Sequence, residues 1–160
     1  MSTTVTKAQI DARLIMPFVN STRNVLQTML GLATTIDRPR IKSVPAPEYD
    51  YSAIIGFSGQ IVGVVVVSFR RETAIKMVNA FAGDEVEPDS SDFSDAIGEL
   101  ANMIAGAAKK DLGGVASISV PTVILGKGHI VARPSDIPCM VIPCKTEAGE
   151  FAVEISIKQA

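Results

Sequence analysis

The sequence predicts an α+β fold in two layers, a mainly antiparallel β-sheet with long helices packed on it. β-Branched runs at 52–57 and 60–70 meet at Ser58-Gly59, the mark of a hairpin. A second pair, 138–145 and 151–158, is joined through Glu147-Ala148-Gly149-Glu150. The helical patterns at 8–32, 71–82 and 92–112 stand in separate blocks rather than alternating with single strands, which argues against a parallel βαβ sheet.

Residues 1–7 are polar and expected to fray. From 8 to 32, Phe18, Thr22, Val25, Leu26 and Met29 recur in helical steps. Pro17 belongs in the first turn of this helix or at a kink, because proline has no N–H to donate. Gly31, then Pro39, Pro45 and Pro47, end the helix and lead into an extended connection with a candidate edge strand at 41–44. In 60–70, Val62, Val64, Val66 and Ser68 face one way and Ile61, Val65, Val67 and Phe69 the other. Apolar residues on both faces imply a central strand covered twice, by helices and, as a candidate, by a partner subunit. The helix at 71–82 turns Ala74, Ile75, Val78 and Phe81 inward and stops at Gly83. Residues 116–125 read as one strand, and 151–157 as a long alternating edge strand that would invite aggregation if uncovered.

The length of 160 residues suits one domain, 1–160, burying roughly two-thirds of its unfolded surface. A net charge of −2 leaves no basic footprint for nucleic acid. No run approaches 18 apolar residues and no charged segment precedes an apolar one at the N-terminus, so neither a membrane span nor a signal peptide is expected and the location read is cytoplasmic. Cys139 and Cys144, five positions apart on one strand, would face opposite sides and so form no bond within it. Reduced thiols fit that compartment. With one histidine, His129, and no CxxC pair, no zinc site is expected. His129 follows Gly126-Lys127-Gly128 and reads as a loop residue; that Gly-Lys pair lacks the spacing of a phosphate-binding loop.

The stretch 92–112 is the most informative. At about 100° per residue, Phe93, Ile97, Leu100, Ile104, Ala108 and Leu112 fall in one sector, the stripe of a helix laid on a core. Ser90, Ser91 and Asp92 offer N-cap oxygens, Lys109 and Lys110 sit at the negative end of the dipole, and Gly113-Gly114 stops the helix. Asp95, Glu99, Asn102 and Gly106 point together on the opposite face, with Gly98 and Ala105 beside them. An interior glycine costs a helix about 0.5–1 kcal/mol against alanine. Two such glycines flanking a carboxylate and an amide fit a face on which another backbone or molecule comes close. They fit equally a solvated polar face whose glycines ease packing on a second helix.

The pattern Asp95-x-x-x-Glu99-x-x-Asn102, followed by Pro121-Thr122-Val123-Ile124, resembles the signature of the CheC/CheX/FliY family of response-regulator phosphatases, and within it the shorter, single-site CheX branch. Leu14-Ile15-Met16-Pro17-Phe18-Val19, Thr28-Met29-Leu30-Gly31, Gly59-Gln60-Ile61-Val62-Gly63, Glu72-Thr73-Ala74 and Gly83-Asp84-Glu85 look like CheX sequence in the same order. The resemblance implies a phosphorylated CheY-type response regulator as partner, its acyl phosphate beside the regulator's own Mg²⁺ and lysine, with no metal or cofactor in this chain. It implies that Asn102 orients the attacking water and that Glu99 pairs with the regulator's lysine. Asp95, Gly98 and Gly106 would meet the same partner surface, and Pro121 would shape the strand facing the site. A homodimer through sheet contacts, one site per subunit, is also implied. Two other classes stay open: a non-catalytic module binding a regulator or flagellar-switch component, and a structural dimerising domain with a silent ExxN.

Overall fold

The computed structural model describes residues 11–43, 48–133 and 136–160. The polar start at 1–7, the expected helix start at Ala8, and Val44, Pro45 and Pro47 lie outside the described residues. Three helices, α1 (Ala12–Leu30), α2 (Arg71–Ala82) and α3 (Ser91–Asp111), pack on one face of an eight-stranded sheet. Its strands are β1 (Thr35–Ile36), β2 (Arg40–Lys42), β3 (Tyr51–Gly59), β4 (Ile61–Phe69), β5 (Ala116–Ile118), β6 (Thr122–Leu125), β7 (Cys139–Thr146) and β8 (Gly149–Gln159). Every pairing is antiparallel, in the order β1-β7-β8-β4-β3-β5, with β2 also on β7 and β6 also on β3. This is the two-layer α+β architecture that the separated hairpins and helices predict.

Strand alternation decides what each face meets. Ile55, Phe57, Val65, Val67, Phe151 and Val153 point toward the helices and join Phe18, Phe93, Ile97 and Ile104 in one core. α1 begins at Ala12 because Asp11 is extended and its carboxylate accepts a hydrogen bond from the Arg13 amide at 2.9 Å. Pro17 therefore falls in the second turn, where it leaves the Arg13 carbonyl without a helical donor. Gly63, in the central strand β4, has φ +137°, and a Cβ there would fall onto the Ser156 carbonyl of β8. Only glycine lets these two strands pair at that point.

Two expectations are corrected. The run 116–125 is not one strand but two, because Ser119 breaks the ladder: its amide donates to the Gly56 carbonyl at 2.9 Å while its hydroxyl accepts from the Gly56 amide at 2.8 Å. Pro121, two residues on, has no N–H with which to restore the pattern. The second correction concerns β8, expected as an exposed edge. It lies in the interior, paired with β7 on one side and β4 on the other, so aggregation at this strand is prevented within the chain.

The face of the sheet away from the helices, for which the sequence makes a partner subunit a candidate cover, is largely covered by the chain itself. Ser52, Val66, Ser68, Val141, Glu154 and Ser156 lie there and are buried. His129, in a loop as expected, binds the Gly126 carbonyl through Nδ1 at 2.9 Å and meets Ser52 Oγ through Nε2 at 2.7 Å. Further along, Arg133 reaches Glu154 Oε1 at 3.2 Å, and Lys42 Nζ reaches the same oxygen at 2.7 Å. The three side chains are 9%, 8% and 4% exposed for Arg133, Lys42 and Glu154, so this is a buried ionic cluster at the centre of the back face.

Cys139 and Cys144 are free and buried on opposite faces of β7, as their spacing requires. Burial pushes the Cys144 thiol up to about 12 and raises Cys139 as well. The folded chain thus holds the Cys144 proton more tightly than the unfolded chain, whose thiol titrates near 9.0. That contribution is complete below the unfolded value and is lost as pH rises from there toward about 12. At pH 8 the native protein should leave both thiols unreacted with a disulfide reagent, while guanidinium-unfolded protein reacts at both. Prompt modification of native Cys144 would show that β7 opens readily.

Candidate functional site

α3 is set rigidly at both ends. Ser90 Oγ accepts from the Phe93 amide at 3.2 Å, and just before it Asp89, at φ +66°, accepts a hydrogen bond from Tyr51 Oη. Tyr51 accepts in turn from Arg71 Nε at 3.0 Å and stands edge-on to Phe93, ring centroids 6.0 Å apart. Burial, and then the Asp89 hydrogen bond, push the Tyr51 hydroxyl above its usual range, so it stays a donor. At the other end Gly113 and Gly114, both left-handed, donate to the Lys110 and Lys109 carbonyls at 3.0 Å.

Between these ends the helix is two-sided, as the periodicity predicts. Phe93, Ile97, Leu100, Ala101, Ile104, Ala105 and Ala108 are buried, while Asp95 and Glu99 are exposed and Asn102 is half-buried. Among the described residues, the side chains of Asp95, Glu99 and Asn102 have no hydrogen-bond or ion-pair partner; the bonds at this end of α3 come from Ser90 and Ser94. A carboxylate and an amide one turn apart, both uncommitted and on one face, are available to another molecule.

The two glycines have different causes. Gly98 is buried, and a Cβ on it would stand 3.2 Å from Pro121 Cγ and 3.3 Å from Val123 Cγ2. Its missing side chain therefore makes room for this chain's own Pro121 and β6, so the backbone that comes close at Gly98 is one from within the chain. Pro121 is brought to the site in this way, packed on α3 one turn before Asn102 on the same side. Replacing Gly98 with leucine should push Pro121 and β6 off the helix and cost about 1–3 kcal/mol, read as a lowered melting temperature. An unchanged melting temperature would mean that the contact is slack. Gly106 differs: a Cβ there meets nothing within 4 Å.

Val120, between Ser119 and Pro121, is 85% exposed, and nothing in the sequence singles it out, since it sits in an apolar run expected to be strand. A shallow depression around Gly106 was equally invisible, for its sides come from Met29 on α1, Met103 and Lys109 on α3 and Ile118 on β5. Among the described residues no group of three or more His, Cys, Asp or Glu side chains could hold a metal ion. No helix among them is long and apolar enough to cross a membrane.

Comparison with known proteins follows the same outline. The family model for the chemotaxis phosphatase CheX matches residues 51–145, the span from β3 through α3 and the Ser119 interruption into β7. The CheY-P phosphatase CheX of Thermotoga maritima is 33% identical over 153 residues, covering 93% of this chain and 98% of that protein. A crystal structure of chemotaxis protein CheX from Desulfovibrio desulfuricans superposes with a TM-score of 0.83 at 35% identity, covering 92% of this chain and 99% of that one. The CheX of Borrelia burgdorferi, solved in complex with CheY, BeF₃ and Mg²⁺, shares the fold at a TM-score of 0.76 and 24% identity, over 94% of this chain and 100% of that one.

Proposed function

The chain belongs to the CheX family of chemotaxis phosphatases, and from that membership we propose that it speeds hydrolysis of the aspartyl phosphate of a CheY-type response regulator. The observation that carries this reading is the uncommitted Glu99 and Asn102 pair on the outward face of α3. The chemistry needed from this chain is small. In hydrolysis of an acyl phosphate a water oxygen bonds to phosphorus while the bond from phosphorus to the aspartyl oxygen breaks; the water's proton passes to a phosphoryl oxygen of the released phosphate, and the leaving carboxylate, whose acid has a pKa of about 3.9, needs none. No general acid is therefore required. What remains is to place the water, and an amide suits that role. Asn102 accepts a hydrogen bond from the water through its oxygen and donates to a phosphoryl oxygen through its NH₂, holding the water in line.

Glu99, one turn earlier and exposed, pairs with the regulator's lysine and fixes the docking register. Asp95 contacts the same surface, and Pro121, packed on Gly98, shapes the wall beside Asn102. The Mg²⁺ that neutralises the phosphoryl oxygens lies on the regulator's side, not on this chain. Residues 1–160 act as one phosphatase domain in the cytoplasm.

A homodimer with one site per subunit is part of the reading. Its support is no longer β8 but apolar surface elsewhere: Val62 and Val64 are half-buried on the back face, and Ile41, on the edge strand β2, is 53% exposed. Sedimentation at micromolar concentration tests it, and a fully active monomer would remove it. The functional test is the decay of phosphorylated candidate regulators from the same genome, with and without this protein. Faster release of phosphate is expected; a regulator that binds but decays at its intrinsic rate would point to a non-catalytic binding module.

A further inference from the structure

Gly106 is a cost without an internal cause. A glycine inside a helix gives up about 0.5–1 kcal/mol relative to alanine. Gly98 has a reason for this in Pro121 and Val123, but around Gly106 the space is open. That open space is the floor of the shallow depression flanked by Met29, Met103 and Ile118, and Met29 remains 40% exposed. The floor of the depression lies one helical turn beyond Asn102, and its lining on α3 runs from Met103 to Lys110, which is exposed and, among the described residues, in no ion pair. Along one face of α3 the order is thus acid at Asp95 and Glu99, amide at Asn102, an apolar saddle at Gly106 and base at Lys110.

We propose that this saddle is a docking seat that admits the phosphorylated regulator in one orientation and selects among regulators. The regulator served by this chain carries an apolar side chain that fits over Gly106 and an acidic side chain beyond it that faces Lys110. At 1.5 Å of rise per residue, the apolar group lies roughly 6 Å along α3 from the position of Asn102. The acidic group lies roughly 16 Å from the base that meets Glu99. Continuity with the Glu99 and Asn102 face names the occupant, and charge complementarity then requires of it a surface basic at the phosphate end and acidic at the far end, the reverse of α3. The helix dipole favours lysines in a last turn by itself, but it gives no reason for an open glycine between an exposed Met29 and a half-buried Met103. A side chain inserted over Gly106 approaches the helix backbone as only glycine allows, and methionine walls adapt to its shape.

This inference rests on the assignment of Asn102 and Glu99 above, and the experiment separates the two. Steady-state dephosphorylation of a regulator that the wild-type protein accelerates is compared for Gly106→Leu, Lys110→Glu and Asn102→Ala, together with the Kd for the beryllofluoride-activated regulator. Leucine fills the saddle and is the better helix former, so Gly106→Leu should keep or raise the melting temperature while raising KM and Kd at least tenfold with kcat within about twofold. Lys110→Glu should raise KM several-fold at low ionic strength, the difference shrinking as salt is added. If Asn102→Ala loses turnover while Gly106→Leu leaves KM and Kd unchanged, the catalytic assignment stands and the docking seat is wrong. If Asn102→Ala turns over like wild type while Gly106→Leu raises KM and Kd, the catalytic assignment falls and the docking seat stands.

Discussion

Asn102→Ala is expected to lower the accelerated rate of regulator dephosphorylation on the order of 100-fold or more, with kcat taking the loss and the melting temperature unmoved. The size follows from what the residue is asked to do. Phosphoryl transfer offers little covalent work to this chain, so nearly all of its contribution lies in placing water in line, and a methyl group can place nothing. Stability is spared because the amide lies opposite Phe93, Ile97 and Ile104 and makes no hydrogen bond among the described residues; alanine is, if anything, the better helix former. Wild-type turnover in Asn102→Ala would falsify the positioning role. Aspartate at this position is a sharper variant. It keeps the acceptor for water but replaces the donor with a charge that repels the phosphoryl group, and it should be as inactive as alanine.

The largest effect on stability is expected far from that helix, at Glu154. Its carboxylate accepts from Lys42 at 2.7 Å and Arg133 at 3.2 Å with all three side chains nearly out of solvent. Glu154→Ala would strand Arg133 on the back face of the sheet and leave Lys42 with Glu48 alone, at 3.6 Å, at a cost of about 3–5 kcal/mol. Urea unfolding should report this as a lowered midpoint with little change in slope. Glu154→Gln keeps an acceptor and should lose less. Equal stability of wild type and Glu154→Ala would mean that water already reaches the cluster and the charges are solvated. The phosphatase rate of whatever Glu154→Ala protein remains folded should be normal, because α3 stands on the other face of the sheet.

Residues in one helix or one hairpin made their relations legible in the sequence. The two faces of α3 follow from a period of 3.6 and its ends from Ser90 and Gly113-Gly114, so Glu99 and Asn102 could be placed together before any fold was known. The hairpins joining β3 to β4 and β7 to β8 were equally local. Strand order was not, because alternation states which way a side chain faces and says nothing about which strand lies alongside. That is why β8 read as an edge although β7 and β4 enclose it. The ionic cluster was hidden for the same reason: Glu154 sits 112 positions from Lys42 and 21 from Arg133, and in an alternating strand a lone glutamate reads as solvent-facing. Gly98 and Gly106 look alike in the sequence. They part company only when β6 is laid against the helix, which the Ser119 interruption and Pro121 make possible.

The division of α3 into a buried side and an uncommitted side has a consequence for how such a protein changes over generations. Substitutions on the buried side are judged by whether the chain folds at all, while the side chains of Asp95, Glu99 and Lys110 make no hydrogen bond or ion pair among the described residues and a Cβ at Gly106 meets nothing within 4 Å, so that under the proposed docking these four positions are judged by whom the protein meets. Two copies descending from one ancestor could therefore drift toward different regulators by rewriting one ribbon of side chains, with Phe93, Ile97 and Ile104 left as inherited. The same separation gives an engineer a rewritable surface: partner choice becomes a problem of a few exposed positions on a helix whose two ends are already fixed.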